Sequence, residues 1–246
     1  MIAAGAVALA QSPRGFFGFE RSRDADLGAK NVEYDGRFTF VRLRYPTGFS
    51  GFRREPPWFH DYPTADTHLS KIVKEISTVD ARVDGSNIFS LEDPGLTKYP
   101  IAYMSEPGFW TVDEEQALAL RRYLLKGGFV IFDDFRAEDW SNFEAQMRRV
   151  LPEGKLVLLD GSSPIFHSFF EIDSPETFVP PYGGLPPQFY GMFEDNDPDK
   201  RLLLIANYNN DLGEYWEFSD TGYVPVDLSN EAYKYGANYI LYGLTH

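Results

Sequence analysis

The sequence predicts an α/β fold, built as a three-layer sandwich with a mostly parallel sheet and helices on both faces. Two observations carry this prediction. Several short segments are continuously apolar, such as residues 129–132, which is typical of strands buried on both faces. They alternate along the chain with segments whose apolar residues recur at helical spacing, such as residues 69–76. Alternating strands and helices favour a parallel sheet over an antiparallel one.

The first predicted elements surround a long loop. Residues 38–45 form a strand, and a loop rich in glycine, proline and aromatic residues follows over residues 46–63. Leu69, Ile72, Val73 and Ile76 then mark one face of a helix. Thr64 or Asp66 is the expected N-cap of that helix, since both side chains can accept a backbone hydrogen bond.

The central elements are a strand, a helix and a second strand. Residues 101–104 form a short apolar strand, and residues 111–114 have the pattern of a capping box that opens a helix. Gly127 ends this helix, because glycine readily adopts the left-handed conformation found after helices. Residues 129–132 follow as a fully buried strand.

The last elements continue the alternation. Residues 140–151 form an amphipathic helix, and residues 156–159 form the next buried strand. Short strands are expected near Phe170 and Tyr190. Residues 201–208 form a core strand, and Ser229 caps a final helix.

Composition narrows the classes of function. The formal net charge of −14 disfavours nucleic acid as a partner, because its phosphates require lysine and arginine. The 246 residues contain no cysteine, which excludes disulfides, thiolate nucleophiles and cysteine-ligated metals. We place a single α/β domain at residues 37–246, since no linker divides this part of the chain.

The N-terminal residues resemble a targeting signal. Residues 2–10 are apolar and small, and Ala8-Leu9-Ala10 has the A-x-A pattern of a signal peptidase site. We interpret residues 1–10 as a truncated signal peptide and residues 11–36 as a flexible segment. The mature protein is then periplasmic or secreted, and it contains no apolar stretch long enough to cross a membrane.

Candidate catalytic residues lie where a strand ends. Asp133 and Asp134 follow the buried strand at residues 129–132, and ligands of parallel α/β sheets bind at the carboxyl ends of the strands. His60 in the aromatic loop is the third candidate. We expect no metal and no other cofactor. Mg²⁺ or Ca²⁺ held by these carboxylates is the less favoured alternative, because their spacing matches no metal motif.

Further polar and aromatic residues are candidates for ligand binding. Aromatic rings beside carboxylates and amides suit carbohydrate ligands. An arginine group suits an anionic ligand or pairs internally with Asp133 and Asp134, and its members are Arg42, Arg44, Arg53 and Arg54. The expected partner is a carbohydrate or a protein of the cell envelope. The candidate binding residues are Trp58, His60, Asp61, Tyr62, Asp66, Arg42, Arg44, Asn207, Asn209 and Asp211.

The order of several short motifs resembles a known family. The motifs run from an arginine-bearing first strand through a Leu-rich helix entering Gly-Gly-Phe to Asp133-Asp134 and a C-terminal helix. They also include Trp58, Asp61-Tyr62-Pro63, Ser163-Pro164-Ile165-Phe166, Asn207-Tyr208-Asn209-Asn210-Asp211, Trp216-Glu217 and Tyr235-Gly236-Ala237-Asn238-Tyr239. This arrangement resembles the bacterial family called domain of unknown function 4159. The resemblance implies a flavodoxin-like fold of the class I glutamine amidotransferase-like type. Glutamine hydrolysis by that type needs a cysteine, which this chain lacks.

Two functions remain open from the sequence. The favoured one is non-catalytic binding or assembly in the cell envelope. The alternative is a hydrolase that acts on a carbohydrate or related polar substrate through an aspartate, with or without a metal. An enzyme predicts that His60 and Asp133 or Asp134 converge within a few ångströms in a concave pocket and have shifted pKa values. A binding module predicts an open aromatic surface and carboxylates already bonded to caps or arginines.

Overall fold

A seven-stranded sheet forms the centre of the protein. The computed structural model describes residues 30–47 and 55–246, and Asn31–His246 form one compact unit. Within the described residues the strands are ordered β2-β1-β3-β4-β7-β6-β5. Their bounds are β1 Val41–Arg44, β2 Asn87–Ser90, β3 Ile101–Ser105, β4 Phe129–Phe135, β5 Val157–Leu158, β6 Gln188–Phe193 and β7 Leu202–Tyr208.

Five neighbouring strands of this sheet are parallel. Strands β2, β1, β3, β4 and β7 pair in parallel, whereas β6 runs antiparallel to both β7 and β5. The predicted α/β class with a mostly parallel sheet is therefore confirmed. Because β1, β3, β4 and β7 run in one direction, the segments that follow them meet at one edge of the sheet.

Helices cover both faces of the sheet. Phe129 of β4 contacts Tyr242 on one face, and Phe132 contacts Phe143. Phe129 and Phe132 are three residues apart in a strand, so they point to opposite faces. The helices are α1 Thr64–Ile76, α2 Glu114–Leu125, α3 Asp139–Val150, α4 Leu212–Glu217 and α5 Val226–Thr245.

Three helix starts differ from the predicted ones. Helix α1 begins after Pro63, and Asp66 forms a buried ion pair instead of a cap. Helix α2 has its capping box at Asp113 and Gln116, two residues after the predicted box. Helix α5 starts upstream of Ser229, which lies buried inside the helix. Helices α1 and α5 each follow a proline, Pro63 and Pro225, whose side chain accepts no hydrogen bond, so a search for polar caps misplaces their starts. At α2 a second polar residue, Asp113, takes the capping role expected of Thr111.

The strand predictions failed at the sheet edges. Strand β2 was not predicted, because its four residues alternate between buried and half-buried and include only two apolar side chains. Strand β5 is shorter than predicted and exposed, since it is the last strand of the sheet and no strand covers its outer side. Phe170 lies in a bend rather than in a strand. Edge strands lack the continuous burial that marks the central ones.

The predicted signal peptide at residues 1–10 lies outside the described residues. Part of the predicted flexible segment is described and packs on β2: the Asn31 side chain donates to Ile88 O (2.8 Å) and accepts from Ile88 N (2.7 Å). Among the described residues, no helix is both long and apolar enough to cross a membrane.

Candidate functional site

A bulge in β4 positions the two predicted aspartates. Phe132 pairs with Ala206 and Phe135 with Tyr208, so two residues of β4 lie opposite one residue of β7. The two bulged residues are Asp133 and Asp134. Asp134 has a φ of 58°. Such bulges change the direction of side chains at the ends of strands. The bulge therefore sends the two neighbouring carboxylates into different surroundings.

Asp133 is a buried acceptor that ties three elements together. Its Oδ2 accepts hydrogen bonds from Tyr103 Oη (2.9 Å) and from the backbone N–H groups of Leu212 (2.9 Å) and Gly213 (3.0 Å). Its Oδ1 accepts from Asn207 Nδ2 (3.0 Å). Burial raises the pKa of Asp133 to about 6, although the hydrogen bonds from Asn207 and Gly213 oppose this shift. Asp133 thus fixes the start of α4 to the sheet.

Asp134 instead contacts the histidine of the aromatic loop. His60 Nδ1 lies 2.8 Å from Asp134 Oδ2, and the two residues are 74 positions apart in the sequence. The hydrogen bond to Asp134 is the main reason that the pKa of His60 is raised to about 9, and the charge of Asp61 adds to it. The His60 side chain is 38% exposed, so the pair lies at the protein surface.

Asp61 is a buried carboxylate without a hydrogen-bond donor. The residue is 4% exposed, and neither Oδ1 nor Oδ2 has a hydrogen-bond partner. His60 Nδ1 is 3.4 Å from Oδ1, which allows electrostatic attraction only. Burial raises the pKa of Asp61 well above its ordinary value. Its φ is 64°, a left-handed conformation that aspartate tolerates better than most residues.

Asp211 caps helix α4 and lies close to His60, Asp61 and Asp134. Its Oδ1 accepts from Glu214 N (2.8 Å), and its Oδ2 accepts from Tyr182 Oη (2.9 Å). Burial is the largest cause of its strongly raised pKa, followed by the negative charges of Asp134 and Asp61. The negative charges of Asp134 and Asp61 therefore disfavour the ionisation of Asp211.

These residues form one group, which we call the carboxyl-edge cluster: His60, Asp61, Asp134 and Asp211. One nitrogen or oxygen atom from each lies within 4.8 Å of the atoms offered by the others. Asp61 also forms a second such group with Glu214 and Glu217 of α4. Nitrogen and carboxylate oxygen atoms this close together can hold a cation or exchange protons.

Comparison with known proteins places the chain in a family. Residues 39–244 match the family described as Domain of unknown function (DUF4159). The chain belongs to the DUF4159 family. This confirms the resemblance seen in the motifs, and the matched residues include the whole carboxyl-edge cluster. No curated protein matches the sequence.

Several predicted binding residues of this DUF4159 chain lie inside the protein. Arg42 is fully buried and pairs with Asp66 at 2.6 Å, not with Asp133 or Asp134. Asn207 is fully buried and accepts from Tyr239 Oη (2.9 Å) while it donates to Asp133. Trp58 is 2% exposed. These side chains support the loops around the cluster.

The remaining predicted residues lie nearer the surface. Tyr62 is half-buried and its ring packs against Phe59, with 4.9 Å between the ring centroids. Asn209 has a φ of 57° and its Oδ1 accepts from Ala137 N (3.1 Å), so it shapes the turn after β7. Arg44 is half-buried at the end of β1, and Arg53 and Arg54 lie outside the described residues.

Sequence reasoning missed three residues beside the cluster. Glu214 and Glu217 are half-buried on the first and last turns of α4, and Gly213 touches the carboxylate of Asp61. The sequence does contain a pattern that indicates the two glutamates. Together with Asp211 they recur at intervals of three residues, which places them on neighbouring turns of a helix.

Gly213 lies so close to Asp61 that a side chain at this position should destabilise the fold. A Cβ at this position would lie 2.4 Å from Asp61 Oδ2 and 2.8 Å from Tyr103 Oη. We therefore expect Gly213→Ala to displace the Asp61 carboxylate and to lower the free energy of unfolding by about 1–3 kcal/mol. Urea denaturation measures this loss. In an Asp61→Gly background the same substitution should cost less, because the colliding carboxylate is gone. An equal loss in both backgrounds would contradict the proposed contact.

Proposed function

We propose that the carboxyl-edge cluster is an active site and that this chain hydrolyses a carbohydrate or a related polar substrate. The observation that carries the proposal is the 2.8 Å contact between His60 Nδ1 and Asp134 Oδ2, beside the carboxylates of Asp61 and Asp211. A carboxylate bonded to one ring nitrogen orients a histidine for proton transfer through the other. The exposure of His60 leaves its ring within reach of a substrate.

The proposed reaction uses one water molecule for each turnover. A carboxylate of the cluster accepts a proton from water, while the water oxygen forms a bond to the electrophilic carbon of the substrate. The bond between that carbon and the leaving oxygen breaks, and His60 supplies a proton to this oxygen. The proton held by the carboxylate then returns to His60, which restores the starting state.

The test is turnover by the purified chain with a panel of p-nitrophenyl glycosides and soluble peptidoglycan fragments. For a substrate that is hydrolysed, we expect His60→Gln and Asp134→Asn each to lower kcat/KM by about 10²- to 10⁴-fold, the usual effect of losing an acid–base group. His167→Gln is the matched control, because His167 also contacts a carboxylate, Glu171, outside the cluster. Turnover that survives both cluster substitutions would contradict the proposal.

Non-catalytic binding is the second candidate, and one observation favours it. The Tyr182 ring is 46% exposed next to the cluster, and the guanidinium of Arg136 lies 4.4 Å from its centroid. An exposed ring beside carboxylates is suited to bind the face of a sugar. Under this proposal the chain binds a carbohydrate or an envelope protein without turnover. Glycan binding that is weakened by Tyr182→Ala, with no hydrolysis of any panel member, would favour it over catalysis.

We also propose that the protein is periplasmic or secreted, on the basis of the Ala8-Leu9-Ala10 pattern. Sequencing the N-terminus of the protein from a bacterial periplasmic fraction tests this proposal. A mature chain that begins at Gln11 is the expected result, and recovery of an uncleaved chain from the cytoplasm would contradict it.

For the fold, we infer a flavodoxin-like arrangement of the class I glutamine amidotransferase-like type. The parallel strands follow the order 2-1-3-4-7, and flavodoxin-like sheets have the order 2-1-3-4-5. Strands β5 and β6 then correspond to an antiparallel insertion before the last parallel strand. The absence of cysteine means that the chain cannot supply the nucleophile of the amidotransferases.

A further inference from the structure

We propose that the carboxyl-edge cluster binds a hard divalent cation, of the class of Mg²⁺, Mn²⁺ and Ca²⁺, through oxygens of Asp61, Asp134 and Asp211. This inference goes beyond the proposed hydrolysis, because an ion can bind whether or not a substrate is turned over. Carboxylate oxygens are the ligands that these cations prefer.

Asp61 is the observation that points to a bound ion. A buried carboxylate normally accepts hydrogen bonds from backbone or side-chain donors, and an unsatisfied one destabilises the fold. Both oxygens of Asp61 are buried and have no such donor, and the residue faces the other carboxylates of the cluster. A cation would satisfy these oxygens and reduce the repulsion among the three negative charges.

The distances in the cluster suit a single ion. Calcium ligands lie about 2.3–2.6 Å from the ion, so two ligands on opposite sides are separated by about 5 Å. The atoms offered by the cluster all lie within 4.8 Å of one another. The three aspartates come from three separate segments: the loop after β1, the end of β4 and the residue before α4. The packing of the fold thus brings them together around one point.

The hydrogen bonds of the cluster leave oxygen atoms for an ion. His60 contacts only Oδ2 of Asp134, so the Asp134 carboxylate keeps lone pairs for an ion. Each oxygen of Asp211 accepts one hydrogen bond and retains a second lone pair. Asp133 differs, because its two oxygens already accept four hydrogen bonds. We therefore assign Asp133 to the support of the site and not to the ion.

The residues next to Asp61 also favour a bound cation. Gly213 lies against Asp61 Oδ2, where any larger residue would collide with the carboxylate. Glu214 and Glu217 form a second group of close carboxylates with Asp61 and add negative charge. This charge would attract a cation to the cluster.

The experiment is a calorimetric titration of the full chain, stripped with a chelator, with MgCl₂, MnCl₂ and CaCl₂ in turn. We expect saturable binding of at least one of these ions, and at least a tenfold loss of affinity in Asp61→Asn. Asp134→Asn serves as a second, independent variant of the site and should lose affinity in the same way. Glu171→Gln is the control, since His167, Glu171 and Asp173 form an exposed acidic group elsewhere, and it should leave the affinity unchanged.

Two results would overturn the proposal: no saturable binding of any of the three ions, or binding that both cluster variants retain in full. The outcome is separable from that of the proposed hydrolysis. Ion binding without turnover would support the ion site and count against the hydrolase. Turnover that persists in excess chelator, with no ion bound, would support the hydrolase and refute the ion site.

Discussion

Replacement of Arg42 with leucine is expected to lower the free energy of unfolding by about 3–5 kcal/mol, because it leaves a buried charge without its partner. Arg42 is fully buried, and its Nη2 lies 2.6 Å from Asp66 Oδ1. Its Nη1 donates to the carbonyl oxygens of Trp58 (3.2 Å) and His60 (2.5 Å). The substitution therefore removes the partner of Asp66 and the donor that holds the His60 segment. Urea denaturation followed by circular dichroism measures the loss.

Arg44→Leu is the matched control for this prediction. Arg44 lies two residues further along β1 and is half-buried rather than fully buried. Substitutions of surface charges usually change the free energy of unfolding by less than about 1 kcal/mol. If both arginine variants lost the same stability, the buried ion pair would not be the support that the structure indicates.

Replacement of Asp133 with alanine should have an effect of similar size. The substitution leaves four buried donors without an acceptor: Tyr103 Oη, Asn207 Nδ2 and the backbone N–H groups of Leu212 and Gly213. Each buried group left unsatisfied costs about 1–3 kcal/mol, so the total loss should be about 4 kcal/mol or more. This is a large part of the 5–15 kcal/mol that usually stabilises a domain.

A substitution at Asp134 is the matched control for Asp133→Ala. Asp134→Asn keeps a residue that tolerates a positive φ. It weakens the contact with His60 and also relieves the repulsion of Asp211, two effects of opposite sign, so it should alter the free energy of unfolding by less than about 1 kcal/mol. Thermal and urea denaturation of both variants make the comparison. A larger loss at Asp134 than at Asp133 would reverse the roles that we assign to the two carboxylates.

The sequence predicted the centre of the sheet and the edge at which the cluster lies. Continuous apolar runs identified β3, β4 and β7, because burial on both faces requires apolar residues at every position. The position of Asp133 and Asp134 after β4 indicated the carboxyl edge. Strand β2 was missed because it is a short edge strand with a mixed pattern.

The composition of the cluster depends on long-range packing, which periodicity does not describe. His60 reaches Asp134 across 74 residues because Arg42 holds the carbonyl of His60 from within β1. The aromatic loop has no repeating pattern from which this path could be inferred. Asp61 and Asp66 also could not be told apart from the sequence, because they lie five residues apart and are both buried. Asp61 has no hydrogen-bond donor, whereas Asp66 pairs with Arg42. Only the folded structure distinguishes them.

The contrast between Asp61 and Asp66 allows the role of the carboxyl-edge cluster to be tested by mutation. We infer that the carboxyl-edge cluster serves a function and lowers the stability of the fold, as functional sites often do. Asp61→Asn removes a buried charge without a donor and keeps a residue suited to a φ of 64°. Asp66→Asn removes the partner of the buried Arg42.

The measurement is the free energy of unfolding of both variants and of the parent chain, by urea denaturation in buffer with excess chelator. We expect the two variants to change the free energy of unfolding in opposite directions. Asp61→Asn should raise the free energy of unfolding by about 1–3 kcal/mol, and Asp66→Asn should lower it by about 3–5 kcal/mol. A loss of stability in both variants would contradict a functional role for Asp61, because Asp61 would then be a structural residue like Asp66.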